Sequence, residues 1–374
     1  MPAPLHILGR FPPPIDGQTM ATERLAGLLA DAYAVRRLST SAPESDHVKA
    51  DVRLRLGRVR HYLRLRRRLR AALAEAPAAP VLWASISPAP LGHLRDVAAT
   101  LPAFAPGQPV HAVVHRGDFD RVFRHPLTAA TARRLVRRLR GVVFLTNALA
   151  DACAPWIPDA QRVVIPNTID EAVRCTEGEV AEKQARRAAR EELRLLFLSN
   201  MIPSKGYRDV LGALPRLRAQ GLAVRADFVG RWENDADRAA FEAFVRAEGL
   251  AEHVIHHGGV RDRATIRRLY LEADVFLLPT YYPTEAQPLT ILEALNAGTP
   301  VVATRHAGIP EMVREGEEAL FVPPRDPEAV AEAVVRLADT DAWAGFSARA
   351  RRRFVDAFSP EAVRQQWLAL LIGA

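Results

Sequence analysis

Cysteine is scarce in this 374-residue chain: Cys153 and Cys175 are the only two, and they show neither metal-ligand spacing nor a disulfide framework. A reducing compartment fits, and a zinc site is not expected. Long apolar runs are missing as well. No uninterrupted stretch reaches the length of a membrane span. The amino-terminal run Leu5–Leu8 is too short for a signal peptide and follows no basic region. A cytoplasmic protein is expected. Aromatics make up 7% of residues and do not alternate with the basic clusters as a base-stacking surface requires. No nucleic-acid module signature accompanies them, so nucleic acid is set aside as a partner.

What is present is positive charge. The net charge of +8 comes mostly from arginine, clustered between Arg53 and Arg70 and again from Arg133 to Arg140. Such patches attract anionic lipid or acidic substrates, so peripheral contact with the inner face of an anionic membrane is one expectation. A solvated helix face explains them equally well. Apolar residues at 49% and charged residues at 25% are ordinary for a globular enzyme, and the length favours two domains over one.

Short β-branched runs alternate with longer amphipathic stretches throughout, the pattern of parallel α/β layers. Strands are predicted at Leu5–Leu8, Ala34–Leu38, Val81–Ala84, Val110–Val114, Val142–Leu145 and Val163–Ile165. A second series follows at Leu193–Leu198, Val224–Val229, Val254–His257, Asp274–Leu278, Val301–Thr304 and Leu320–Val322. The charged segment from Thr168 to Glu192 separates the two and reads as a connection plus a polar helix. Two doubly wound, Rossmann-like domains are expected, 1–170 and 171–356. The final segment, 357–374, reads as one more helix. Ligands in such sheets bind beyond the carboxyl ends of the strands.

The segment 278–304, LLPTYYPTEAQPLTILEALNAGTPVVAT, is the most informative. A strand gives way to a loop, then to a helix starting near Pro288, a residue suited to the first helical position, and stopping at Gly298. The unpaired N–H groups of Leu289 and Thr290 would suit a diphosphate. Glu285 precedes the helix and Glu293 lies within it, far enough apart to touch different ends of a nucleotide sugar. A second segment, FLSNMIPSKG (197–206), ends a strand and offers Lys205 beside Gly206 as a point charge for phosphate.

The Glu-x7-Glu pair Glu285 and Glu293, followed by Ala-Gly-Thr-Pro-Val-Val, resembles the GT4-type retaining GT-B glycosyltransferases (glycosyl transferases group 1). The resemblance is strong from about residue 160 to 340 and weak before 110. It implies that Glu285 contacts the donor sugar and Glu293 the ribose, with Lys205 on the diphosphate. It implies the GT-B fold, two Rossmann-like domains facing each other across a cleft, with acceptor bound by 1–170, nucleotide sugar by 171–356, and the helix of 357–374 crossing back to the first domain. It also implies a retaining, metal-independent reaction on a UDP- or GDP-linked sugar, a co-substrate with no separate cofactor. The acceptor would be a glycan or a lipid-linked molecule in cell-surface polysaccharide or glycolipid synthesis. Similar enzymes carry Gly-Arg at Ser199-Asn200, so Asn200 departs from the pattern and Arg231 is the candidate substitute. Val260, in His-His-Gly-Gly-Val, would sit at the base. Gly17 and Gln18 stand where two glycines are usual, and Ala307 where a second glycine is common. His115, at a strand end, corresponds to a histidine near the donor sugar and joins Glu285 and Lys205 as a candidate catalytic residue. Asp235 and Asp237 read as helix capping rather than metal ligands. A nucleotide-sugar epimerase of the same architecture and a non-catalytic nucleotide-sugar-binding protein remain alternatives.

Overall fold

The computed structural model describes residues 2–13, 17–40 and 56–372, with the side chains of 56–59 excluded. Pro14, Ile15 and Asp16 of the amino-terminal loop and Arg53 and Arg55 of the basic stretch lie outside these residues.

The predicted strands all form: the central ones are runs of Val, Leu, Ile and Phe buried on both faces, as suits a parallel sheet covered by helices on each side, while the edge strands β2, β6 and β9 are only partly buried. The first sheet contains β1 (Ala3–Gly9), β2 (Tyr33–Ser39), β3 (Val81–Trp83), β4 (Val110–Val114), β5 (Gly141–Phe144) and β6 (Arg162–Val164), in the order β2-β1-β3-β4-β5-β6. The second contains β7 (Leu193–Leu198), β8 (Val224–Val229), β9 (Val254–His256), β10 (Val275–Leu278), β11 (Val301–Ala303) and β12 (Ala319–Phe321), in the order β12-β11-β10-β7-β8-β9. Every pairing is parallel. The fold class is α/β with two doubly wound sheets.

Contacts divide the chain into two units, one of 1–167 with 363–374 and one of 168–362. The sequence reading drew these borders near 170 and 356. The shift at the carboxyl end has a local cause. The first turn of the helix Pro360–Ile372 is tied to the second unit by the Arg174–Glu361 ion pair at 2.7 Å, and Thr168 Oγ1 donates to the Phe358 carbonyl at 2.7 Å. Farther along, Val363, Trp367 and Leu371 enter the core of the first unit with Leu5, Ile7, Leu25 and Leu82. The core of the second unit gathers around Phe197, Phe228, Phe276, Leu295 and Val334.

Strand order positions the candidate site. In the second sheet the direction of winding reverses between β7 and β10, which pair directly. The loops leaving these two strands therefore run side by side at the carboxyl edge, where doubly wound sheets take ligands. Gly206 makes that approach practicable. Its φ is +88°, and a Cβ there would lie 2.4 Å from the Pro279 carbonyl oxygen.

A candidate nucleotide-sugar site in the second unit

The loop after β7 ends in a short 3-10 turn, Pro203–Lys205, and Gly206 then starts the helix Tyr207–Ala219. The loop after β10 runs from Pro279 to Pro288. Two hydrogen bonds join them: Tyr281 N–H donates to the Ser204 carbonyl at 2.8 Å, and the Thr280 side-chain Oγ1 donates to the same oxygen at 3.2 Å. That clamp brings Lys205 Nζ within 2.6 Å of Glu285 Oε2, with side chains only 15% and 9% exposed. The ammonium also lies 4.4 Å from the centroid of the Tyr282 ring, a cation–π contact that further holds it. Lys205 is one of three lysines in the chain.

The helix bearing Glu293 runs Leu289–Asn296. Pro288 is its N-cap, with φ −61° and ψ 114°, rather than its first helical residue as the sequence suggested. Its extended ψ and missing side-chain acceptor leave the N–H groups of Leu289 and Thr290 uncapped. Among the described residues neither N–H has an acceptor, and both residues are part-exposed. Gly298, at φ +59°, ends the helix as expected. Glu293 sits one turn in, about 6 Å along the axis from Leu289, and is 5% exposed. Its Oε1 accepts from Arg263 Nη2 at 2.6 Å.

The remaining residues of the second unit flank this edge. Asn200 and Arg231 follow adjoining strands, where Met201 N–H donates to the Arg231 carbonyl at 2.9 Å. Both are exposed, and no hydrogen bond or ion pair ties down the Arg231 guanidinium among the described residues. Its stem lies over Gly259, whose absent Cβ would fall 2.5 Å from Arg231 Cγ. Val260 follows directly and packs against the core. Ala307 adopts φ 49°, the left-handed conformation that costs a non-glycine residue about 1–2 kcal/mol. A glycine is common there in the enzymes this chain resembles. The next residue, Gly308, donates its N–H to the Ala286 carbonyl at 3.2 Å, so this strained turn braces the Glu285 loop. Asp237 is held by Arg208, by the Tyr207 hydroxyl and by Asn234, the N-cap of its helix.

In the first unit, Gly17 and Gln18 open the helix Gly17–Leu29 after β1, and Gln18 Nε2 donates to the Ala84 carbonyl at 3.2 Å. His115 directly follows β4. Neither ring nitrogen has a hydrogen-bond partner among the described residues. Burial, and then the charge of Arg24, hold the ring pKa down at about 4.

Sequence reasoning missed Thr280, Tyr282, Arg263 and Lys183. Tyr282 lay inside the most informative segment, and a ring beside a buried lysine was the available signal. Arg263 gave none: it opens a helix 30 residues before its partner. Lys183, in what reads as a polar helix, is 2% exposed. Its ammonium donates to the carbonyls of Tyr270 and Ala297 and to Thr299 Oγ1, supporting the end of the Glu293 helix from behind. Burial pushes its pKa down to about 7.

Comparison with known proteins agrees with this architecture. The family Glycosyl transferases group 1 matches residues 192–340, the stretch containing Lys205, Glu285 and Glu293. The putative colanic acid biosynthesis glycosyltransferase WcaL of Salmonella typhimurium is 30% identical over 48% of this chain and 45% of its own, so the match spans about half of each protein. The 2-deoxystreptamine glucosyltransferase of Streptomyces kanamyceticus is 28% identical over 78% of this chain and 75% of its own. Among solved structures, Anabaena Alr3699/HepE in complex with UDP-glucose superposes with a TM-score of 0.72 at 17% identity, covering 99% of this chain and all of that one. Sucrose-phosphate synthase from Thermosynechococcus elongatus gives 0.72 at 18%, covering 99% and 98%. The fold is that of the GT-B glycosyltransferases, and residues 192–340 match the glycosyl transferases group 1 family.

Proposed function

We propose that the protein is a retaining glycosyltransferase that moves a sugar from a nucleotide-diphosphate sugar to a glycan or lipid-linked acceptor in cell-surface polysaccharide or glycolipid synthesis. One observation carries the reading: Lys205 and Glu285, from loops 80 residues apart, meet in the loop that leads, four residues on, to the uncapped N–H groups of Leu289 and Thr290, at the point where the winding of the sheet reverses. A diphosphate needs fixed positive charge and N–H donors, and a sugar hydroxyl needs a carboxylate within reach. Both are supplied here. UDP-linked sugars are the first donors to test, because the Anabaena neighbour binds UDP-glucose; GDP-linked sugars are the second.

In this reading the anomeric carbon–oxygen bond to the diphosphate breaks as the acceptor oxygen bonds to the same face. The acceptor proton passes to the departing phosphate oxygen. Charge developing on that diphosphate is met by Lys205, Arg231 and the helix N–H groups, so stabilisation comes from fixed dipoles and cations, and the reaction is metal-independent. Arg231 takes the place left by Asn200. Val260 borders the base. Gly17 and Gln18 are proposed to border the donor phosphates or the transferred sugar, and His115 to act near the donor sugar. Transfer or donor hydrolysis by the wild type, abolished in Glu285→Ala with the fold retained, supports the assignment. Unchanged turnover in that variant defeats it, and an epimerised donor in acceptor-free buffer would favour an epimerase.

No helix among the described residues is long and apolar enough to cross a membrane. Peripheral contact is proposed for the first unit. The helix Leu56–Ala74 carries exposed Leu63, Arg64, Arg67 and Arg68, and the neighbourhood of the helix Ala129–Val136 adds exposed Arg133, Arg134 and Arg137. Among the described residues none of these arginines has a carboxylate partner. Binding to anionic vesicles that weakens with salt is expected, and absence of binding at every salt concentration removes the idea.

A further inference from the structure

We infer that Arg263 is the positioning residue that presents Glu293 to a ribose diol, and that the pair, rather than Glu293 alone, makes the site select ribonucleotides over deoxyribonucleotides. The inference rests on the nucleotide-sugar reading above.

Arg263 is the first residue of the helix Arg263–Glu272, whose N-cap Asp262 accepts from Thr265 N–H at 2.8 Å. The start of that helix is therefore fixed, and with it the origin of the arginine side chain. Nη2 bonds Glu293 Oε1 at 2.6 Å, while Nε lies 3.7 Å from Asp170 Oδ2. Asp170 is itself anchored, accepting from Ala172 N–H at 3.1 Å. The guanidinium is thus held between two carboxylates, and its planar fork fixes the plane of the Glu293 carboxylate in a way a lysine ammonium would not.

The surroundings are left incomplete. Arg263 Nε is a buried polar atom without a hydrogen-bond partner among the described residues, and the Tyr270 hydroxyl is turned toward Glu293. Tyr270 is 1% exposed. Burial first, and then the charge of Glu293, raise its pKa well above the usual range, so it is a neutral donor facing that carboxylate. A buried N–H without a partner is rare, and here one belongs to the guanidinium that holds this carboxylate. With one lone pair engaged by Arg263 and one facing the Tyr270 hydroxyl, about two of the four acceptor positions of the carboxylate are left to accept from adjacent hydroxyls. Two neighbouring hydroxyls on a five-membered ring fit that pattern, and a 2′- or 3′-deoxy sugar leaves one acceptor unmet.

Calorimetric titration of the full chain with UDP, GDP and their 2′-deoxy and 3′-deoxy forms tests this. The wild type should favour the ribonucleotide about ten-fold, the usual worth of a hydrogen bond to a charged group. Arg263→Ala should lose affinity for the ribonucleotide and only slightly for the deoxy forms, bringing the preference within about two-fold. Arg263→Lys should recover part of it. A purely structural arginine would weaken all ligands equally, and a preference unchanged in Arg263→Ala overturns the inference while leaving the nucleotide-sugar reading intact. A wild type that binds neither UDP nor GDP overturns both. If Arg263→Ala does not fold, Arg263→Lys and Arg263→Gln are read by the same criterion.

Discussion

Replacing Glu285 with glutamine separates a ligand-binding ion pair from a structural one, because the two roles predict opposite effects on diphosphate binding. At 2.6 Å the gross attraction is about 6 kcal/mol at an effective dielectric near 20. Most of that is offset by desolvation of two side chains only 15% and 9% exposed. Breaking a fully buried pair costs about 3–5 kcal/mol because one charge stays behind. At this strand edge the Lys205 ammonium can still reach solvent and the Tyr282 ring, so about 2 kcal/mol is expected. For a unit of this size that lowers the melting temperature by roughly 4–8 °C. Lys205 is then free of its internal competitor. UDP or GDP should bind Glu285→Gln at least as tightly as the wild type, while transfer falls by two or more orders of magnitude through loss of the sugar contact. Lys205→Ala should do the reverse for binding, weakening the nucleoside diphosphate about ten-fold or more. The assays are thermal denaturation, calorimetry with the nucleotide alone, and donor turnover. Should Glu285→Gln and Lys205→Ala weaken nucleotide binding by the same factor, the pair is scaffolding and the reasoning fails.

Other expectations follow from single contacts. Gly259→Ala should leave stability nearly unchanged, because its Cβ meets only the flexible Arg231 stem, yet should weaken diphosphate binding as much as Arg231→Ala; unaltered affinity would remove Arg231 from the site. Asn200→Arg should tighten diphosphate binding about ten-fold, and calorimetry showing no gain would place position 200 away from the phosphates. Gly206→Ala, at φ +88° and against the Pro279 carbonyl, should destabilise the second unit by several kcal/mol in urea titrations. His93 and His111 are 0% and 2% exposed, and burial lowers both to about 4, Arg140 adding to the effect at His111. Their folded pKa values lie below the unfolded value near 6.5, so the unfolded chain takes up protons first. Stability is full above that pH and falls toward 4, by about 1 kcal/mol per histidine between pH 6.5 and 5.5; a flat profile in that window contradicts it.

The strands were legible because their apolar runs are short, bounded and, away from the sheet edges, buried on both faces, a pattern local in sequence. The Glu-x7-Glu segment was legible for a similar reason: loop, helix start and glycine stop lie within one stretch. What stayed hidden depends on contacts across the sheet. The bonding of Lys205 to Glu285 follows from the adjacency of β7 and β10, which nothing near either residue announces. Lys183 reads as a solvated lysine until its helix is seen packed against the carbonyls it caps. Arg263 opens an arginine-rich helix in which Arg267 and Arg268 look equivalent. Only packing singles it out: it reaches Glu293, whereas Arg268 pairs with Glu272 at the surface.

The most direct test is a crystal structure of the protein with UDP or GDP bound. The account predicts a diphosphate against Lys205 and the N–H groups of Leu289 and Thr290, with the Lys205–Glu285 bond opened and the ribose on Glu293. Density for the nucleotide elsewhere, with Lys205 still bonded to Glu285, would contradict it.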